Sequence, residues 1–158
     1  MKQSKPLKRS YIKRRPSRPI SKERKDARIQ RDRDNPFSRY WRDRCEPLWR
    51  GISIIRAGYK SQISGKINNL VVHHLINRDR TMTRWNPNNG FVLTAEEHTE
   101  GYGNPHGADK QVFEDMLAQR YPEKAAWVEE HDGDTGRVCW RDVYEGLAGA
   151  WEEGGVTP

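Results

Sequence analysis

Apolar positions are sparse, and their spacing changes along the chain. Residues 1–20 set Pro6, Pro16 and Pro19 among Lys, Arg and Ser, with nothing periodic to bury. Such a segment cannot offset its ordering entropy, so a disordered arm is expected. SKERKDARIQRDR, residues 21–33, opens on a serine suited to capping and is rich in helix formers, which predicts a charged helix ended by Pro36. From Ser38, the residues Tyr40, Trp41, Leu48, Trp49, Ile52 and Ile55 recur at helical spacing. They are read as core, in two short helices broken at Pro47.

The period then changes. After Gly58, KSQISGKINN is turn-like, and LVVHHLI, residues 70–76, is a short β-prone run. The polar stretch NRDRTMTRWNPNNG carries Asn-Pro and Asn-Gly turn signals and leads to FVL, a brief second strand. Thr94 as N-cap and Glu97 three residues on predict a helix over TAEEHTEGY, broken by GNPHG. ADKQVFEDMLAQRY is an amphipathic helix with Val112, Phe113, Met116 and Leu117 on one side. A short helical piece after Pro122, a turn at HDGDTGR and a last helix over VCWRDVYEGLAGAWEE complete the chain. The order of elements predicts an α+β fold, with a strand–loop–strand–helix unit among flanking helices. Three regions follow: a basic arm over 1–34, a central domain over 35–122 and an acidic helical extension over 123–158 packed on it.

Charge sharpens this picture. The chain of 158 residues has a formal net charge of +7. Residues 1–34 hold 14 Lys/Arg against 4 Asp/Glu, residues 35–108 hold 10 against 6, and residues 109–158 hold 5 against 12. A basic arm and a basic middle suit a polyanion, and nucleic acid is the expected partner. In the arm, Lys8, Arg9, Lys13, Arg14 and Arg15 are expected to supply salt-sensitive, non-specific affinity. No run of 18 apolar residues exists to span a membrane, and no apolar stretch follows the basic start as a secretory signal requires. With only Cys45 and Cys139, far apart, a disulfide framework is not expected, and a cytoplasmic chain is the simpler reading.

Three of the five histidines fall in the stretch from 69 to 98. His73 and His74 close the first strand, and His98 lies in the first turn of the helix after the second. Neighbouring side chains on a strand point to opposite faces, but at a strand end the chain can twist both toward one cavity. Two imidazoles could then hold a divalent cation while a third acts as a base near neutral pH.

The ordered pattern H-H-x14-N-x8-H, with a β-prone run before it, resembles the HNH endonucleases, whose fold is a ββα-metal finger. NGFVLTAEEH and KSQISGK–NLVVHHL resemble that family's segments around its histidines, over roughly residues 38 to 122. Small phage-type members are the nearest in pattern. The resemblance implies that His74 is the general base, that His73 and His98 are metal ligands, and that Asn89 is a structural brace aiming the base. It implies a hydrolysis of DNA phosphodiesters that leaves 5′-phosphate and 3′-hydroxyl ends.

The departures from the family matter. Where relatives carry two C-x-x-C pairs for a structural zinc, this chain has Ser61, Ser64, Thr94 and Glu97, so no structural zinc is expected. Where some relatives place a further His ligand, this chain has Tyr102. His106 follows four residues later, and can curl back as a third ligand, touch phosphate, or do neither. Arg78, Arg80 and Arg84 in the inter-strand loop either clamp phosphate, with Arg78 closest to a catalytic role, or only solubilise the loop. Trp85 reads as a packing lid. The expected cofactor is one exchangeable divalent ion, magnesium or manganese, with zinc or nickel as alternatives. Rival readings are a catalytically inactive nucleic-acid-binding protein, and a phage packaging or recombination accessory docking a basic partner through the acidic C-terminal region.

Overall fold

The computed structural model describes residues 21–100, 104–106 and 110–154. The elements run α1 (Lys22–Asp34), α2 (Arg39–Arg56), β1 (Leu70–His74), a single 3₁₀ turn (Pro87–Asn89), β2 (Gly90–Thr94), α3 (Ala95–Thr99), α4 (Lys110–Arg120), α5 (Pro122–His131) and α6 (Trp140–Glu153). The architecture is α+β, with helices predominating around one two-stranded antiparallel sheet. The arm residues Lys8, Arg9, Lys13, Arg14 and Arg15, and also Tyr102, lie outside the described residues.

The hairpin is the middle layer, and its period of two sorts side chains between two cores. The register pairs Val72 with Val92, His73 with Phe91 and His74 with Gly90. Val71, Leu75, Phe91 and Leu93 pack with Phe113 and Leu117 of α4. On the other face, Val72 packs against the cluster of Cys45, Trp49, Ile52, Trp85 and Leu147, which joins α2 to α6. Full burial of a side chain the size of Phe91 or Trp49 contributes about 1.5–3 kcal/mol relative to exposure, so these two clusters carry most of the fold. Helix α2 approaches closely where side chains are absent. A Cβ on Gly51 would fall inside the Trp151 ring, and one on Gly90 would meet Ser53.

Pro47 does not divide α2, contrary to the two short helices expected there. The helix runs unbroken from Arg39 to Arg56. Both Asp43, whose carbonyl loses its helical donor, and Pro47 are exposed, so water can replace the missing bond. Ser38 stands at the N-cap but makes no capping bond. Its hydroxyl donates instead to the Asp32 carbonyl, which ties α1 to α2. Trp41 Nε1 and Arg141 both donate to the Arg33 carbonyl, at 2.9 and 2.8 Å, and these bonds seat an α1 that has no buried residue of its own.

The outer edge of β2 is covered rather than left open. Gln62 serves both backbone groups of Val92: its amide Oε1 accepts from the Val92 N–H and its own N–H donates to the Val92 carbonyl, both at 2.9 Å. Lys124 donates to the Gly90 carbonyl at 2.8 Å. No helix among the described residues is long and apolar enough to cross a membrane.

Candidate functional site

The loop between the strands is long and polar, and a buried side chain ties two parts of it together. Asn89, fully buried, accepts from the Ile76 N–H at 2.6 Å. It donates from Nδ2 to the carbonyls of Ile76 and Thr83, both at 3.1 Å. A planar amide fits this task, because apart from Gln no other side chain offers two N–H donors and a carbonyl acceptor from one group. The Trp49 indole N–H adds a bond to the Asn86 carbonyl at 2.9 Å, pinning the loop to α2.

The start of α3 is equally well fixed. Thr94 and Glu97 form the full capping box, with Glu97 Oε2 2.8 Å from the Thr94 N–H. Ser61 Oγ donates to the same carboxylate oxygen at 2.6 Å, and accepts from the N–H groups of Ile63 and Ser64. Burial pushes the Glu97 carboxyl up, but hydrogen bonds from Ser61, Ser64 and Thr94 outweigh it and hold the group below its usual range. A knot of hydroxyls around one carboxylate thus binds the turn before β1 to the helix that carries His98.

Three imidazoles meet beside this knot. His73 Nδ1 is 3.3 Å from His98 Nε2, and His106 Nε2 is 3.0 Å from the same His98 atom. One nitrogen from each ring lies within 4.8 Å of the others, so the group could hold a metal ion. Ligands at tetrahedral angles and a metal–nitrogen distance of about 2.0–2.1 Å stand about 3.3 Å apart, so two of the three separations already suit one cation. The Asn104 side chain accepts from the His106 N–H at 3.0 Å and shapes the turn that returns His106 to the cluster. Phe113 of α4 meets His73 edge-on at 5.6 Å.

Burial, and then the charges of His106, His98 and His74, push His73 down to about 3. Burial and His106 lower His98 in the same direction. A neutral imidazole keeps the lone pair that a metal needs, so the pocket favours the ligating form.

His74 does not join the cluster. The strand end does not twist enough to bring both neighbours into one cavity, and His74 keeps to the opposite face. Its ring stacks on Trp49 at 4.2 Å, with the planes 17° apart, and Trp85 closes it from another side at 5.6 Å. Nε2 is covered and has no hydrogen-bond partner among the described residues. Burial, then the charges of Arg84, Arg78 and Arg50, push His74 down to about 4, against a backbone hydrogen bond with Arg84.

Those cations define a basic face around His74. Arg84 lies 4.6 Å over the Trp85 ring, and its buried Nε has no partner among the described residues. Arg42 and Arg78 act on Arg84 electrostatically, partly balanced by Glu46 and Asp79. Arg78 and Arg80 are exposed on the loop. Arg42 and Arg50 of α2 were not singled out by sequence. Their signal was hidden because the surrounding aromatics read as a core stripe, and Trp49, which precedes Arg50, is indeed buried.

No protein-family model, curated protein or solved structure matches the chain.

Proposed function

We propose that this protein is a metal-dependent DNA endonuclease with an HNH-type site. The observation that carries the reading is the meeting of His73, His98 and His106 from β1, α3 and the turn after it. Asn89 in the loop between supports it, because its three bonds to backbone match a brace better than a ligand. On this reading β1, β2 and α3 are the ββα finger, and the hydroxyl–carboxylate knot of Ser61, Ser64, Thr94 and Glu97 ties the finger together in place of a zinc clip. A divalent ion on the three imidazoles would supply Lewis-acid stabilisation of charge developing on the phosphate. A donor set of three imidazoles and no carboxylate weighs toward zinc, nickel or a similar ion, and away from magnesium.

The residues of the chain divide the rest of the work. Arg78 and Arg84, with Arg42 and Arg50 behind them, hold the backbone phosphates by charge-assisted bonds. His74 takes a proton from the attacking water at Nε2, the one ring nitrogen it has free. Substrate must pass around the end of β1 and displace the Arg84–Trp85 segment to bring water to that atom, because it is covered and lies on the face opposite the three imidazoles.

The test is nicking of supercoiled plasmid with each of magnesium, manganese, zinc, nickel and cobalt, and with EDTA. Cleavage is expected with at least one ion and none with chelator. His74→Ala should lose about 10²–10⁴ in rate while still showing a metal-induced rise in melting temperature. His98→Ala should lose both. Absence of cleavage by wild type with every ion sinks the proposal. The covered Nε2 of His74 favours one other reading, a nucleic-acid-binding protein that does not cut, in which duplex binding persists and no ion yields products.

A further inference from the structure

Along the outer edge of β2 lie two adjoining cavities of ≈ 320 and ≈ 440 Å³, lined by none of the four histidines above. They share Arg56, Ala57 and Gln62. The larger is lined by three cations from three places in the chain: Arg56 at the end of α2, Lys60 in the turn after it, and Arg120 at the end of α4. Among the described residues, no Asp or Glu lines it. Among the described residues, none of the three cations is in an ion pair. Glu97, which lies behind Ser61 on this wall, is held by Ser61 and the Thr94 backbone. Glu123 lines the smaller cavity, where it acts on Lys124.

Cations gathered in a concavity without a counter-ion repel one another. The wall is nonetheless built to hold them. Arg120 Nη1 donates to the Ile63 carbonyl at 3.2 Å, and the Tyr121 hydroxyl donates to the Gln62 carbonyl at 2.7 Å, which clamps the end of α4 to the 61–65 turn. Lys60 is presented by a turn in which Gly58 and Tyr59 both have positive φ, +66° and +58°. A non-glycine in that region is uncommon and costs on the order of 1 kcal/mol, and here it leaves Tyr59 57% exposed beside Lys60. The volume lies in the range of small-ligand sites, about 300–1,000 Å³, so it admits a phosphate together with part of its sugar.

We infer that Arg56, Lys60 and Arg120 form a second, non-catalytic phosphate site that grips the backbone of a nucleic-acid strand outside the imidazole cluster. It does not depend on cleavage, so it is tested in EDTA, where a failed nuclease reading has no effect on the result. Binding of a short labelled duplex by the full chain is measured across a range of salt for wild type, R56Q/K60Q/R120Q and K60Q alone. The slope of log affinity against log salt should flatten by roughly 0.9 for each phosphate that is no longer neutralised, with affinity falling most at low salt. K60Q removes one exposed side chain that has no ion-pair partner among the described residues, so it should fold normally and flatten the slope by the amount due to a single phosphate. Inorganic phosphate titrated into labelled wild type should move amide resonances of residues 56–65 and 119–121. Unchanged slopes in both variants overturn the inference, as do phosphate shifts confined to other residues. Phosphate shifts at these amides with unchanged duplex binding would make it a site for free phosphate, and would equally overturn the assignment to a strand.

Discussion

Replacing Asn89 by alanine tests what holds the loop over the site. The side chain is fully buried and serves three backbone groups. After truncation the Thr83 carbonyl still receives the Asn86 N–H at 3.0 Å. The N–H and carbonyl of Ile76, itself 1% exposed, are left without a partner among the described residues. A buried polar group left unpaired costs about 1–3 kcal/mol, and the small cavity adds to it, so Asn89→Ala should lose about 3–5 kcal/mol. At roughly 2–4 °C per kcal/mol for a chain of this size, the melting midpoint should fall by on the order of 10 °C. Urea unfolding followed by tryptophan fluorescence reads this directly, because Trp49 and Trp85 sit on the loop's inner side. Asn89→Asp is the sharper companion. It keeps an acceptor for Ile76 N–H but turns a charged oxygen on two carbonyls, so it should be at least as damaging. A loss below about 1 kcal/mol for alanine, or a tolerated aspartate, would refute the bracing role.

Gly51→Ala should destabilise by overpacking against Trp151, which costs about 1–3 kcal/mol and exceeds the roughly 1 kcal/mol gained in helix propensity. Gly149→Ala, with nothing within 4 Å of its added methyl, should instead stabilise by up to about 1 kcal/mol, and denaturant titration of the pair in parallel tests how closely α2 and α6 pack. Cys45 is fully buried, and burial pushes its thiol from 9.0 up to about 12. Its contribution is therefore complete below pH 9 and declines as pH rises toward 12, because the unfolded thiol ionises first, so urea midpoints should fall over that interval and less so in Cys45→Ala. In native protein, mass spectrometry after alkylation near pH 8 should find Cys139 modified and Cys45 protected, and equal labelling would contradict the packing.

Much of the local structure was legible along the chain because it rests on local interactions. The Ser21 cap and the Thr94–Glu97 capping box need only residues three apart, and both are present. The strand positions and the amphipathic stripe of α4 follow from periodicity, and Phe113 and Leu117 are buried as that stripe requires. The closeness of His73 and His98 was also within reach, since a hairpin followed at once by a capped helix leaves little freedom for the helix start.

Other features were decided only by tertiary contacts. Pro47 signals a break, yet α2 continues because the missing bond faces water, and Cys45 before the proline and Trp49 and Ile52 after it pack into one core with Leu147 of α6. His106 could have turned anywhere after Gly103; its place beside His98 depends on the Asn104 turn and on packing that no local pattern encodes. His74 follows strand alternation onto Trp49, a partner 25 positions earlier whose arrival depends on how α2 crosses the hairpin. The hydroxyls that gather on Glu97 look like ordinary turn and cap residues until Ser61 is brought 36 positions in sequence to meet it. Short-range hydrogen bonds and periodic burial are written into neighbouring residues. Which side chains share a cavity is set by how separate elements pack, and that is a property of the whole chain.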